Sequence, residues 1–532
     1  MASSVDGSVL MTFAELSGAL GGRLVSGGGE GESCRAGGFS SVSIDSRLVK
    51  PGALFVALKG AVRDGHRYVE AAFAAGAAGA MVAGSAPEGF VPEKAARKAR
   101  RPLIVVEDTL RGLQEAARVY LDRFPRLIRV GITGSSGKTT TKEIAAAMIG
   151  RERITVVNPG NFNSETGLPL SVFEVASHHE VGIFEMGMNR RGEIAELAGV
   201  LKPHIALITN IGSAHIGIFG SREAIAKEKK NIFAEFTGTE TALIPEEDDF
   251  RDFLAEGVRG RVVFYGRRSF TGLGELRRSG LDGTDITWEG IPVHFHLPGR
   301  HNLANALAAA AIARAIPVGS EAIRGGLATV KPLFGRSEII RGKLRRKGSG
   351  EPRDGEIAVI RDCYNSNRES AAAAIALCDA LDWPGRRVYV IGSMLELGDK
   401  TREAHEELGR LLAASRADRV FLYGPETAAA ALAMEKVMAA GEGGNPAEGS
   451  RSLRDGPAES QRILPFHTDT MDILSRALED YVRPGDLVLL KGSRGCALER
   501  LSSALLESEP ALPETARGLS PVERENRREE VL

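Results

Sequence analysis

The stretch "VGITGSSGKTTTKE", Val130 to Glu143, groups glycines, hydroxyls and a lysine at a spacing suited to phosphate. Gly134, Ser135, Ser136, Gly137, Lys138, Thr139 and Thr140 would form a cradle between a strand and a helix. Backbone N–H groups and the helix N-terminus would face the phosphates, Lys138 would supply a point charge, and the Thr139 hydroxyl can ligate Mg²⁺. The common string wants glycine five residues before Gly137, where this chain has Ile132, so spacing alone leaves a plain Gly-Ser turn as the alternative. Such a loop can serve a nucleotide switch, a phosphotransferase, or an enzyme that uses phosphate to activate a carboxylate.

Further candidates follow downstream. In "FEMGMNRRGEI", Glu185 ends an expected buried strand, where a carboxylate can meet a nucleotide's metal or simply hold a salt bridge. His215 in "TNIGSAHIGIFGS" follows a third buried strand and is read either as a ligand or as a structural histidine. Lys227, Lys229 and Lys230 lie in "SREAIAKEKKNIF", and helical periodicity does not choose among them. Asn302 and Asn305 in "HNLAN" are three apart on one helical face, as a functional pair or as a cap and an interior amide.

The elements that must carry these residues set the architecture. At 532 residues the chain exceeds one ordinary core, and roughly 100 to 200 residues per domain gives about three. The first segment, 1–126, has the short apolar run "ALFVAL", the Ala-rich stretch "YVEAAFAAGAAGAMV" read as helical, and "PLIVVED". Residues 127–336 read as strand, Gly-rich turn and helix, then strands at "EVGIFEMG", "HIALITNIG" and "ETALIP", the pattern of a parallel sheet. After "VKPLFGRSE" the rhythm restarts over 337–508, with strands "EIAVIRD", "RRVYVIGS", "RVFLYG" and "DLVLLKGS" alternating with helices, as in a doubly wound domain. Two Gly-, Pro- and charge-rich insertions read as surface segments, and 509–532 as a disordered tail.

Composition excludes several classes. Lys+Arg 68 against Asp+Glu 69 gives a net charge of -1 and no global field for nucleic acid or an anionic membrane. Cys34, Cys363, Cys378 and Cys496 form no C-x-x-C pair, which argues against a zinc site or a disulfide framework. The N-terminus lacks a basic start and apolar core, and no apolar run reaches about 18 residues. A cytoplasmic chain that does not insert in a membrane is the expectation.

The blocks "GSSGKTTTKE", "NPGNFNSETGLPL", "FEMGMNRRGEI", "TNIGSAHIGIFGS", "GRHNLANALAAAAIA", "DCYNSNRES", "SMLELGDKTREAH" and "LLKGSRG", with "SIDSRLVKPGALFVALKGAVRDGHRYV" before them, together resemble the Mur ligase family. The resemblance implies an ATP-dependent enzyme that extends a UDP-muramoyl peptide by an amide bond. The N-terminal domain would then hold the UDP-sugar, the central P-loop domain ATP, and a Rossmann-like C-terminal domain would complete the site. By the same resemblance Lys138, Thr139, Glu185 and His215 serve the phosphates and two Mg²⁺ ions, with Lys229 as a carbamate. Asn302 and Asn305 approach the adenine, and Arg336 and Asp362 the phosphates and ribose. Ser46 and Arg47, with Asn161, Asn163, Glu165 and Thr166, match substrate contacts. Relatives commonly read A-K-G-E where this chain has "EKKN", so Asn231 replaces a glutamate. Cys363 stands where Ser or Ala is usual, which disfavours it as a nucleophile.

No D-N-P-R stretch, common in the branch that adds the third residue, is present. "DCYNSN" and "SMLELGD" instead resemble the branch that joins D-alanyl-D-alanine to UDP-MurNAc-tripeptide, with Tyr364 and Asn365 lining the dipeptide pocket. Selectivity for the tripeptide's third residue lies in pocket shape rather than a short motif. The competing readings are a third-residue ligase, a folate polyglutamate ligase, disfavoured by the "DSR" domain, and a nucleotide-dependent switch. A monomer is expected.

Overall fold

A glycine decides where one of the first domain's strands begins. The Ala-rich stretch read as one helix is in fact helix Val69–Ala74, a turn, and strand Gly79–Ala83. Gly76 sits at φ +101°, a left-handed conformation that ends a helix and that only glycine adopts freely. The computed structural model describes residues 9–26, 37–60, 62–85, 89–270, 272–345, 355–440 and 465–507, without the side chains of 275–279. Cys34, most of both insertions and the tail from Glu509 lie outside the described residues.

The first sheet contains β1 (Arg23–Val25), β2 (Ser41–Ser43), β3 (Ala53–Val56), β4 (Gly79–Ala83) and β5 (Leu103–Val106) in the order β1-β5-β4-β3-β2. Only β1 runs antiparallel to its neighbour. The second sheet is fully parallel, with β6 (Ile128–Thr133), β7 (Thr155–Val157), β8 (Val181–Glu185), β9 (Ile205–Ile208), β10 (Thr241–Pro245) and β11 (Arg261–Tyr265). Its order, β11-β10-β9-β6-β8-β7, places β6 between β8 and β9. Glu185 is in register with Ile132, and Ile208 with Thr133, so the loops after all three strands open at one edge. That edge, at the carboxyl ends of parallel strands, is where such sheets bind ligands.

Helices α1 (Lys138–Ile149), α2 (Glu193–Leu201), α3 (Arg222–Lys230) and α4 (Arg300–Ala315) surround this sheet. On one face Ile144 and Met148 of α1 join Val130, Ile132, Ile183 and Leu207 of the strands. Each such side chain, fully buried, contributes about 1.5–3 kcal/mol. Ala306, Ala309, Ala310 and Ala313 keep α4 slim enough to pack into the same cluster. On the other face Phe184, Met186 and Ile208 share a continuous apolar core with Leu54, Leu113 and Ala117 of the first domain. The Tyr120 hydroxyl, donating to Val175 O at 2.7 Å, ties that junction.

A three-stranded antiparallel sheet absent from the expected elements follows: β12 (Leu273–Gly280), β13 (Gly283–Trp288) and β14 (Ile291–Phe295). Ile286, Trp288, Val293 and Phe295 form its buried face. β11 is likewise an addition to the expected strands. The last sheet has β15 (Glu338–Lys343), β16 (Glu356–Asp362), β17 (Arg387–Gly392), β18 (Arg419–Tyr423), β19 (Phe466–Thr468) and β20 (Leu487–Lys491). Its order is β15-β16-β20-β17-β18-β19, parallel except at β15. Helix α5 (Arg368–Ala380), capped by Asn367, follows β16. Three α/β domains with mostly parallel sheets match the fold class expected from sequence.

Candidate functional site

β6 ends at Thr133 and α1 begins at Lys138, so the chain must turn sharply between them. Gly134 has φ +151° and Gly137 φ +79°. A Cβ on Gly134 would lie 1.7 Å from Thr209 Oγ1, and one on Gly137 2.2 Å from Asn305 Oδ1. The cradle is thus shaped by two positions that exclude side chains. The loop is clasped by the segment after β9: Thr209 Oγ1 donates to Ser136 O at 2.6 Å, and Ser136 N donates to Asn210 Oδ1 at 3.1 Å. Ser135 N donates to Asn210 O at 3.0 Å.

Thr139 Oγ1 donates to Glu185 Oε2 at 2.5 Å, and Asn163 Nδ2 to Glu185 Oε1 at 2.6 Å. Asn158, fully buried, fixes the Glu185 backbone by accepting from its N–H at 2.8 Å. Burial alone would push the Glu185 carboxyl up, but the charges of Lys138, Arg336 and Lys142 and the Thr139 hydroxyl outweigh it and hold it below its ordinary value. Lys138 Nζ and Lys229 Nζ both donate to Gly134 O, at 2.9 and 3.0 Å. Burial depresses the Lys138 pKa, with Glu185 opposing and Arg336 adding to the depression. The Lys229 pKa falls well below its ordinary value, chiefly by burial and then by Lys138, against Glu228 and Glu185. Lys138, Arg336 and Lys142 thus act together on the one Glu185 carboxylate, an excess of positive charge that a polyanion corrects.

Of the three lysines on α3, Lys227 is exposed, Lys230 donates to Phe253 O at 2.6 Å, and Lys229 is 1% exposed beside the loop. Its neighbour Glu228, also buried, accepts from Gly192 N at 2.9 Å and Ile194 N at 3.1 Å, closing the N-terminus of α2. This clamp sets how α3 lies against α2. Glu228→Ala leaves those buried donors unpaired and should lower stability by about 2 kcal/mol in denaturant titration. An unchanged midpoint would show that the clamp contributes nothing.

The remaining candidates divide between this cluster and its surroundings. Asn305 Nδ2 donates to Asn302 Oδ1 at 3.3 Å and Asn302 Nδ2 to Pro298 O at 2.8 Å, behind Gly137. Arg336 stacks over Tyr364, 4.2 Å from its centroid. Asp362 accepts from Ser337 N at 3.0 Å and pairs with Lys491 Nζ at 3.0 Å, while Lys491 also donates to Asn365 O at 2.7 Å. His215, at φ +63°, places Nδ1 3.0 Å from Glu396 Oε2 of the C-terminal domain, without the alignment of a hydrogen bond. Glu165 is held by Arg190 Nε at 2.9 Å, Thr166 Oγ1 lies 3.3 Å from Ser164 Oγ, and Asn161 O accepts from Asn163 N at 2.7 Å. Ser46 and Arg47 lie in the turn between β2 and β3, where Arg47 Nε donates to Asp45 at 3.1 Å. Cys363 is buried and its thiol pKa is pushed far up by burial and by Glu499, the opposite of a nucleophile.

Sequence reasoning did not single out Asn158, Thr209, Asn210, Lys142 or Lys491. Lys491 ends the otherwise apolar strand "LVLLK", a charge on a buried strand that could have flagged it. Lys142, fully buried, donates to Asn158 O.

The donor set suits Mg²⁺ held together with phosphates. A hydroxyl and a carboxylate, hard oxygen donors, stand side by side at Thr139 and Glu185. Among the described residues no group of three or more His, Cys, Asp or Glu could hold a metal alone. Mg²⁺ needs no such cage, since one or two carboxylates plus substrate phosphates and water suffice. Around His215, the buried Nδ1 without an aligned partner is a donor atom still to be satisfied.

Residues 39–121, 132–313 and 347–494 match the family models described as Mur ligase family, catalytic domain; Mur ligase middle domain; and Mur ligase, glutamate ligase domain. The chain is 41% identical over 470 residues to the UDP-N-acetylmuramoyl-tripeptide--D-alanyl-D-alanine ligase of Treponema pallidum (strain Nichols), covering 88% of this chain and 94% of that one. It is similar to a crystal structure of MurF from Acinetobacter baumannii, with TM-score 0.76, 27% identity, and coverage of 93% and 99%. It also resembles the MurF ligase of Thermotoga maritima in complex with ADP, with TM-score 0.67, 27% identity, and coverage of 87% and 96%.

Proposed function

This chain belongs to the Mur ligase family, and on that premise we propose that it is an ATP-dependent ligase joining D-alanyl-D-alanine to UDP-N-acetylmuramoyl-tripeptide. The observation that carries the choice within the family is 41% identity over 88% of the chain to a relative named for that reaction. The phosphate loop and the cations Lys138, Arg336 and Lys142 gathered at Glu185 support the use of ATP. On this reading residues 1–126 take the UDP-sugar, 127–336 the ATP, and 337–508 complete the site from the other side. Among the described residues no helix is long and apolar enough to cross a membrane. A cytoplasmic reaction follows from its need for ATP.

The chemistry must activate a carboxylate, because oxide is not a leaving group. The γ-phosphate passes to the terminal carboxylate of the tripeptide, giving an acyl phosphate and ADP. The amine of D-alanyl-D-alanine then attacks the acyl carbon, and phosphate leaves with the C–O bond. Lys138 and the backbone of Gly134 to Gly137 hold and neutralise the phosphates, so that the chain's share is positioning and charge stabilisation. Arg336, from the domain junction, adds a second cation. Thr139 and Glu185 would hold one Mg²⁺, and His215 with Lys229 as a carbamate a second. Bound there, the metal would polarise the phosphoryl oxygens. A carbamate suits Lys229 because CO₂ adds only to a neutral amine, and burial keeps this amine deprotonated more readily than a free lysine. Asn302, Asn305 and Asp362 are assigned to the nucleoside, and Ser46, Arg47, Asn161, Asn163, Glu165 and Thr166 to the UDP-peptide. Tyr364 and Asn365 are assigned to the dipeptide.

Purified protein supplied with ATP and UDP-MurNAc-tripeptide should release ADP and form the pentapeptide product only when D-alanyl-D-alanine is added. Product with a single amino acid alone would instead make it a third-residue ligase. ADP release indifferent to any acceptor would favour a nucleotide switch.

A further inference from the structure

The junction between the first two domains is apolar and continuous, whereas the C-terminal domain meets the central one through Leu281 and Ile216 and, beside His215, through polar groups. We infer that Glu369 is a positioning residue that couples docking of the C-terminal domain to the phosphate loop, through Ser213, Gly212 and Ser135.

Glu369 lies in the first turn of α5, a place where a carboxylate is comfortable in water. Here both of its oxygens are used across the domain junction. Oε1 accepts from Ser213 N and Oε2 from Ser213 Oγ, each at 2.9 Å. Gly212 leaves room for it: a Cβ there would lie 2.9 Å from the carboxyl carbon. Gly212 in turn meets the phosphate loop twice, since its N–H donates to Ser135 Oγ at 2.9 Å and its carbonyl accepts from Ser135 Oγ at 3.3 Å. The preceding residue is anchored within the central domain, where Asp248 accepts from Ile211 N at 2.8 Å and Arg222 donates to Ile211 O at 2.8 Å. Beyond it the contacts come from the C-terminal domain. Gly217 N donates to Glu396 O at 3.3 Å, and a Cβ on Gly217 would lie 2.5 Å from Gly398 N. The segment carrying His215 is thus fixed at one end by its own domain and gripped at Ser213 and Gly217 by another. Its first gripped residue adjoins the one bonded to Ser135. Docking and loop geometry are therefore linked through two contacts joined by the Gly212–Ser213 peptide bond, and linkage is reciprocal.

The inference rests on the reading of the phosphate loop as a nucleotide site. Mg·ADP affinity by calorimetry and amide hydrogen exchange at residues 134–137 and 209–217 test it on the full-length protein. Glu369→Ala should weaken Mg·ADP binding about 5- to 150-fold and speed exchange in both segments. Glu369→Gln should stay within about threefold of the parent, because its amide can accept from Ser213 N–H and donate to Ser213 Oγ. Ser135→Ala combined with Glu369→Ala should lose less than the product of the two single losses. Unchanged ADP affinity in Glu369→Ala would overturn the inference. So would a lower melting temperature with exchange at 134–137 unaltered, the mark of simple domain adhesion, or losses that multiply. These readouts need no amino-acid acceptor. An unmodified protein that binds ADP but forms no pentapeptide would therefore fail the proposed reaction and leave the coupling standing.

Discussion

Gly134→Ala should weaken binding of a non-hydrolysable ATP analogue by more than about 100-fold. A Cβ at this position would sit 1.7 Å from Thr209 Oγ1 and 3.0 Å from Thr209 N, so the loop or the segment after β9 must move. The backbone is also at φ +151°, outside the region L-residues favour. Strain and overpacking of this kind each cost about 1–3 kcal/mol. The movement matters because Gly134 O is the acceptor shared by Lys138 and Lys229, and Thr209 Oγ1 is the donor that holds Ser136. Displacing it disperses the cations that face the phosphates. Gly238→Ala is the matched control, for Gly238 has a similar φ of +141° with nothing within 4 Å of a built Cβ. That variant should lose stability to backbone strain and keep its affinity. Calorimetric titration of both would decide, and a Gly134→Ala protein binding within about threefold of the parent would refute the steric argument.

Local chemistry is legible where one segment carries it. The glycines, Lys138 and Thr139 are contiguous, and the apolar strand runs that precede Glu185 and His215 put both at carboxyl ends by pattern alone. Periodicity did not rank Lys227, Lys229 and Lys230, and only the family resemblance pointed to Lys229, because helical spacing fixes relative angles but not which face another element covers. The contact of Glu369 with Ser213 spans 156 residues of chain, and no periodicity reports a partner so distant. The antiparallel sheet is a different case, since its signal was present and unused. Glu289 and Gly290, at φ +49° and +80°, form the two-residue turn between β13 and β14, and a glycine at the second turn position between two alternating runs fits a hairpin. Charged and turn residues in "LDGTDITWEGIPVHFHLP" masked the buried face of Ile286, Trp288, Val293 and Phe295. The Ala-rich segment failed for the reverse reason: alanine's helix preference is only tenths of a kcal/mol per residue, and the turn at Gly76 with burial of Ala80, Met81 and Val82 overrides it.

Lys229→Ala should reduce turnover on the order of 10²- to 10³-fold, the scale for losing a preorganised charge at a reacting centre. The side chain is 1% exposed, and the contacts of its Nζ are Gly134 O at 3.0 Å and Met188 Sδ at 3.6 Å. A protonated lysine there would sit beside Lys138, sharing its acceptor and adding to a cation surplus. The depressed pKa lowers that cost by favouring the neutral amine, which is also the form that adds CO₂ and releases a proton to become a carbamate. On the proposed carbamate reading, an amine that tolerates protonation poorly would become an anion beside Gly134 O. Four consequences separate this from a packing role. Depleting bicarbonate should lower activity of the parent protein and adding it back should restore it. Lys229→Arg, a permanent cation, should be no better than alanine although it refills the space. Short carboxylates should partly rescue Lys229→Ala and leave Lys229→Arg unchanged, and ¹³C-bicarbonate should give a carbamate resonance in the parent protein that both variants lack. A fully active Lys229→Ala protein would remove Lys229 from the mechanism, whereas a loss that carboxylates cannot rescue, without a carbamate resonance, would leave the lysine as a packing element only.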